Sequence, residues 1–202
     1  NVFIYKNATP GMEHLKTTVL QSHIDMVCEK NSDKDHDFFA DPIQTRIVDG
    51  WVKANGTTLG ADDGIGVAAQ LAILAASDIA HGPIECLFTV DEETGLTGAF
   101  GLSTEALEGK ILLNLDSEDE GELFIGCAGG KDTVIELPFA TEPVLANTTA
   151  FEIMVSGLKG GHSGDDINKG LGNANKIINR VLFEGTEHFE MRLSSLEGGN
   201  LR

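Results

Sequence analysis

The sequence predicts an α/β domain over residues 1–130 and the first part of an α+β domain over residues 131–202. Three observations carry this reading. Short β-branched and apolar runs repeatedly end on polar clusters, and an apolar stretch at helical spacing follows Gly60-Ala61-Asp62-Asp63-Gly64. Beyond Gly129-Gly130 the pattern becomes β-β-α-β, the opening of a separate domain.

In chain order, Val2-Phe3-Ile4-Tyr5 is a strand-like run, and residues 17–20 form a β-branched and apolar run that continues into Gln21-Ser22-His23. A buried strand ending near His23 places His23-Ile24-Asp25 at a carboxyl strand end, where open α/β sheets hold ligands. Residues 28–41 are charged and aperiodic, a surface loop. Residues 43–48 and 51–54 flank Asp49-Gly50, a two-residue hairpin signal. Ile65, Val67, Ala68, Leu71, Ala72, Leu74 and Ala75 follow helical spacing, so Asp62-Asp63 sits at a helix N-terminus with Asp63 available as its cap.

Residues 83–90 read as a core strand leading into Asp91-Glu92-Glu93-Thr94-Gly95, residues 103–107 as a short helix, and residues 111–115 as a strand ending at Asp116. In the second part, strands are expected at 133–139, 150–155 and 189–193. Leu171, Ala174, Ile177, Ile178, Val181 and Leu182 mark an amphipathic helix.

Composition narrows the function. Thirty-two acids against 14 bases give a net charge of −18, which argues against nucleic acid and anionic lipid as partners. No run approaches the roughly 18 apolar residues of a membrane helix. No basic-then-apolar leader appears, and Cys28, Cys86 and Cys127 are an odd, scattered set that fits a reducing compartment, so a cytoplasmic location is expected. The 24 glycines gather at turns and form no repeat. The chain opens within a strand-like run and stops just after Gly198-Gly199-Asn200, and it reads as a fragment of something longer.

The chemistry concentrates at the ends of the predicted elements. Adjacent carboxylates repel unless a cation lies beside them, and Asp62-Asp63 invites a metal. His23, Asp62, Glu93 and Asp116 together supply one imidazole and three carboxylates. Both ligand types suit zinc, and a carboxylate can bridge two ions, so a binuclear site can form. Asp25, two residues from His23, is placed to orient the imidazole. Glu92 is left over, and an unligated carboxylate beside a metal-bound water can serve as general base.

The series Ser22-His23-Ile24-Asp25-Met26-Val27, Gly60-Ala61-Asp62-Asp63-Gly64, Asp91-Glu92-Glu93-Thr94-Gly95 and Asn114-Leu115-Asp116-Ser117 resembles the M20 family of di-zinc peptidases. Within it the match is to the aminoacyl-histidine dipeptidase branch, supported by Gly126-Cys127-Ala128-Gly129-Gly130 and by the Gly160-Gly161-His162-Ser163-Gly164 segment. The resemblance covers nearly the whole chain. It implies a zinc-peptidase-like catalytic domain (1–130) with an inserted α+β lid (131–202) that often makes a homodimer, both incomplete in this chain.

It further implies two divalent ions, zinc with cobalt or manganese as alternatives. Asp62 would bridge them, with His23 and Asp116 on one and Glu93 on the other. Glu92 would be the general base, Asp25 the partner of His23, and His162 the lid histidine that approaches the substrate. The peptide bond after the bridging Asp is often cis in such proteins. The resemblance also calls for a further histidine ligand on the Glu93 side. None of the six histidines matches that motif, and His14, His36, His81 and His188 read as structural or exposed.

The implied activity is hydrolysis of dipeptides, of the Xaa-His type. The alternatives are an amidohydrolase acting on N-acyl amino acids and an inactive metal-binding piece.

Overall fold

The computed structural model describes residues 1–127, 129–131, 133–161 and 166–199. It divides into two compact units, Asn1–Phe124 and Ile125–Arg202.

The first unit is built on a four-stranded mixed sheet whose strands lie in the order Val2–Lys6, Ile84–Thr89, Thr18–His23 and Ile111–Asn114. Its strands are β1 (Val2–Lys6), β2 (Thr18–His23), β5 (Ile84–Thr89) and β6 (Ile111–Asn114), with the hairpin β3 (Thr45–Val48) and β4 (Trp51–Ala54) forming a separate ribbon. β2 runs parallel to β5 and β6, with His23 level with Thr89 and Gln21 level with Asn114, while β1 is antiparallel to β5. Three parallel strands therefore end together, and the residues that follow them converge on one edge of the sheet.

Burial explains the element types. β5 lies between β1 and β2, and Ile84, Cys86, Leu87, Phe88 and Thr89 are all buried, the near-continuous pattern of an interior strand. Helix α1 (Ala61–Ala75) lies against this sheet, and its Val67, Ile73 and Leu74 pack on a cluster of Leu20, Ile84, Cys86 and Phe88. The far end of α1 is held by Lys6 of β1, whose Nζ donates to the carbonyls of Ile73 (2.7 Å), Leu74 (3.2 Å) and Ala76 (2.6 Å). These are the carbonyls a helix leaves unpaired at its C-terminus, where a cation is also favoured by the helix dipole. In the hairpin, Asp49 (φ 53°) and Gly50 (φ 79°) both take positive φ, the turn geometry that Asp-Gly predicts.

Two very short helices, α2 (Glu92–Gly95) and α3 (Thr97–Phe100), follow β5. The helix expected at residues 103–107 is instead a turn. Ser103 accepts from the amides of Glu105 (Oγ, 3.2 Å) and Ala106 (carbonyl, 3.0 Å), a local bonding pattern that competes with helix.

In the second unit, α4 (Ala174–His188) forms as its periodicity predicts, with the Asn173 side chain accepting from Lys176 N at its start. A 3-10 turn, Ile167–Lys169, precedes it. The strands expected at 133–139, 150–155 and 189–193 are not formed among the described residues. Alternating apolar residues favour a strand only when a neighbouring strand takes up the backbone bonds and one face is covered. Here Ile135, Phe139, Phe151 and Phe189 are all exposed, so neither condition is met.

Candidate metal centre

The common edge of the parallel strands gathers the predicted acids. β2 ends on His23, only 1% exposed, and its imidazole Nε2 lies 2.9 Å from Asp62 Oδ1 and 3.4 Å from Asp116 Oδ1. Asp62 enters from the start of α1, Asp116 from just beyond β6. Glu93 in α2 completes a group with His23 and Asp62, in which one donor atom from each residue lies within 4.8 Å of the others. Among the described residues no second imidazole joins this group.

The tautomer of His23 follows from its partners. Its Nδ1 is 2.9 Å from the carbonyl oxygen of Asp25, which can only accept, so Nδ1 carries the hydrogen and donates. In the neutral ring Nε2 is then a lone pair, yet it faces two carboxylate oxygens. Acceptors meet acceptors unless a proton or a cation lies between them. An imidazole with Nδ1 pinned by oxygen and Nε2 directed at carboxylates is a donor set that fits a divalent metal.

Protonation shows the same crowding. Burial, followed by the hydrogen bond and charge of Asp62, pushes Asp116 up to about 7. Burial and then the Asp62 charge raise Glu93. Burial pulls His23 down, but the hydrogen bond to Asp62 and the charges of Asp116 and Asp62 outweigh it and raise it overall. The acids are raised and the base is raised with them, the pattern of a cluster short of positive charge.

Asp25 is held differently. Burial raises it, but the amides of Glu92 and Glu93 donate to its two oxygens at 3.1 Å each and bring it below the usual carboxylate range. One carboxylate thus ties the His23 loop, at 3.5 Å from Nδ1, to the first turn of α2 that carries both glutamates. A cleft lined by His23, Asp25, Met26, Leu59, Gly60 and Val67 opens beside the cluster.

Asp116 is oriented by a polar chain across the strand ends. Gln21 Nε2 donates to Thr89 Oγ1 (3.1 Å), Asn114 Nδ2 donates to Gln21 Oε1 (2.5 Å), and Asp116 N donates to Asn114 Oδ1 (3.1 Å). The Asp62-Asp63 peptide is cis. Asp62 and Asp63 depart from helical geometry, so the regular helix begins after them, and Asp63 caps it by accepting from Gly66 N (3.0 Å).

His23, Asp25, Asp62, Glu92, Glu93 and Asp116 are therefore brought to one edge. His162 lies outside the described residues. The reading from sequence missed the Gln21-Asn114-Thr89 chain and the buried Gln70 of α1. A lone glutamine inside an apolar helical run was the available signal for the latter.

A mixed sheet with an imidazole and carboxylates gathered at its carboxyl strand ends is an α/β arrangement with a donor set that could hold a metal ion. Residues 19–174 match the profile of peptidase family M20/M25/M40, and the chain belongs to that family. It is 52% identical to the cytosol non-specific dipeptidase of Escherichia coli over 202 residues, 100% of this chain and 42% of that protein. It is similar in structure to an aminoacylhistidine dipeptidase from Vibrio alginolyticus, with a TM-score of 0.62 and 50% identity, covering 95% of this chain and 39% of that one. A peptidase T from Citrobacter koseri is 44% identical over 70 residues, 33% of this chain and 17% of that protein. The chain spans less than half the length of the first two relatives.

Proposed function

We propose that this chain carries the metal-binding part of a metal-dependent dipeptidase acting on dipeptides that include the Xaa-His type. The observation that carries the proposal is His23 Nε2, turned onto the carboxylates of Asp62 and Asp116 with no donor of their own between them. The names of the E. coli and Vibrio relatives supply the substrate class.

Asp62 is the residue common to both halves of the cluster, paired with His23 and Asp116 on one side and grouped with Glu93 on the other, which supports it as the bridge between two ions. Zinc suits this nitrogen and oxygen set. When bound, the ions supply Lewis acidity that activates water and polarises a carbonyl. Glu92 is the general base: its carboxylate takes a proton from the attacking water and returns it to the leaving amine nitrogen. Asp25 holds the Nδ1 hydrogen of His23 and fixes the α2 turn beneath Glu92. His162 donates to the developing oxyanion.

Residues 1–130 are the catalytic domain and 131–202 the beginning of a lid through which a homodimer forms. The whole protein works in the cytosol, in keeping with the free thiols of Cys28, Cys86 and Cys127. No helix among the described residues is long and apolar enough to cross a membrane.

The test is a zinc-loaded assay of the whole protein on Xaa-His dipeptides, other dipeptides and N-acyl amino acids, beside Glu92→Gln. Dipeptide cleavage that falls by about 10²–10⁴ in kcat in the variant, with zinc affinity kept, is the expected result. Cleavage of N-acyl amino acids alone would move the protein to the deacylases. A variant within a few-fold of wild type would remove Glu92 as the base.

A further inference from the structure

The deepest residues of α1 are not its leucines. Ile65 is 71% exposed and Leu71 51%, whereas Asp63 is 3% exposed and Gln70 0%, with Gly66 buried between them. Asp63 caps the regular helix, and Gly66 and Gln70 follow it at intervals of three and four on the face turned to the sheet. An amphipathic helix ordinarily turns apolar side chains inward along such a face. Here that face is polar or small, and its bonds run to β2.

Gln70 spans the strand just before its ligand. With its amide turned so that the oxygen faces Ser22, the orientation that satisfies both ends, that oxygen accepts from Ser22 Oγ (2.5 Å) and Ser22 N (3.1 Å) and the nitrogen donates to Leu20 O (3.1 Å). Asp63 takes the next step along the strand, with Oδ2 accepting from His23 N (3.2 Å) and Oδ1 from Gly66 N (3.0 Å). Gly66 leaves room for this carboxylate, since a Cβ there would lie 2.2 Å from Asp63 Oδ1.

We propose that Asp63 and Gln70 are positioning residues, and that with Gly66 they form a polar seam that sets the distance between His23 on β2 and Asp62 at the mouth of α1. Apolar contact between a helix and a sheet is non-directional and tolerates small slides. Hydrogen bonds to successive residues of β2 accept one register only, and a buried network left partly unpaired is costly, so the seam resists the slides that an apolar interface permits. The two ligands it registers are 2.9 Å apart, and ligand geometry of this kind must be held within about 0.5 Å to function.

Gly66→Ala separates this role from simple stabilisation. Alanine is the better helix former, so propensity favours the variant, while the added methyl has to displace the Asp63 carboxylate. Gln70→Met, of similar length and apolar, removes the Ser22 and Leu20 bonds and provides a second route if the first variant does not fold. Two readouts are taken in the whole protein: affinity for zinc alone by calorimetry, and the exchange rate of the His23 amide in the metal-free state.

The expected result is zinc affinity about tenfold weaker together with His23 exchange at least about tenfold faster. The zinc readout rests on the metal-site reading and the exchange readout does not. A wild-type protein that takes up no zinc therefore overturns the metal reading, while exchange still decides the seam. Wild-type exchange in both variants overturns the seam, and faster exchange with unchanged zinc affinity overturns its positioning role.

Discussion

Zinc and protons should compete for the same atoms at the strand edge, with consequences of opposite sign for the metal-free and metal-loaded protein. In the metal-free site, burial and Asp62 raise Asp116 from 3.8 to about 7. His23 is raised above 6.5, because its carboxylate neighbours outweigh burial. Zinc takes either ligand only after its proton leaves. Below about pH 7 the Asp116 proton alone weakens zinc binding about tenfold per pH unit, and the raised His23 steepens that dependence further.

The stability of the metal-free fold moves the other way. The folded pKa of Asp116 lies above its unfolded value, so its contribution is complete below about pH 4 and is lost as pH rises through about 7. Unscreened, a shift of that size is worth about 4 kcal/mol. With 27% of the Asp116 side chain exposed, solvent screening reduces this to about 1–2 kcal/mol. Zinc at a hundred times its Kd stabilises by about 2.7 kcal/mol, an increment that grows with pH as the protons leave. The assay is thermal melting and zinc calorimetry of the whole protein, with chelator and with zinc, from about pH 5.5 to about pH 8. Zinc affinity that stays flat across this range, or a metal-free melting temperature that climbs alongside the zinc-loaded one, would show that protons and zinc do not compete for these atoms.

Two further predictions test the scaffold. Leu87, 2% exposed in the interior strand β5, cannot be trimmed without leaving a cavity, and Leu87→Ala should lower stability by about 2–5 kcal/mol in chemical denaturation. Lys6→Met keeps the apolar stem but strips three carbonyls at the end of α1 of their donor, and should cost about 1–2 kcal/mol in the same measurement.

The first unit was legible because its signals are local. Apolar runs ending on polar residues gave β2, β5 and β6 within a residue or two, and Asp49-Gly50 gave the hairpin through its positive-φ demand. The gathering of His23, Asp62, Glu93 and Asp116 was legible from the same punctuation, since acids at the ends of parallel strands have one edge on which to meet. What escaped depends on pairing across the fold. Gln70 looks like an interruption of an apolar helix until Ser22 and Leu20 are seen opposite it. The runs at 133–139 and 150–155 carry strand-forming residues, but a strand is completed by its neighbour, and no neighbour pairs with them among the described residues. Ser103 reversed a helix expectation through two local bonds within its own turn.

On the proposed reading, Asp62, shared between His23, Asp116 and Glu93, holds the ions on which dipeptide hydrolysis depends. Zinc content and dipeptide hydrolysis, measured together on the whole protein and on Asp62→Ala, each with and without chelator, decide it. Hydrolysis should disappear with chelator, return with zinc, and be absent from an Asp62→Ala protein that has lost bound metal. Hydrolysis that survives chelation, or an Asp62→Ala variant that keeps its metal and its rate, would contradict it.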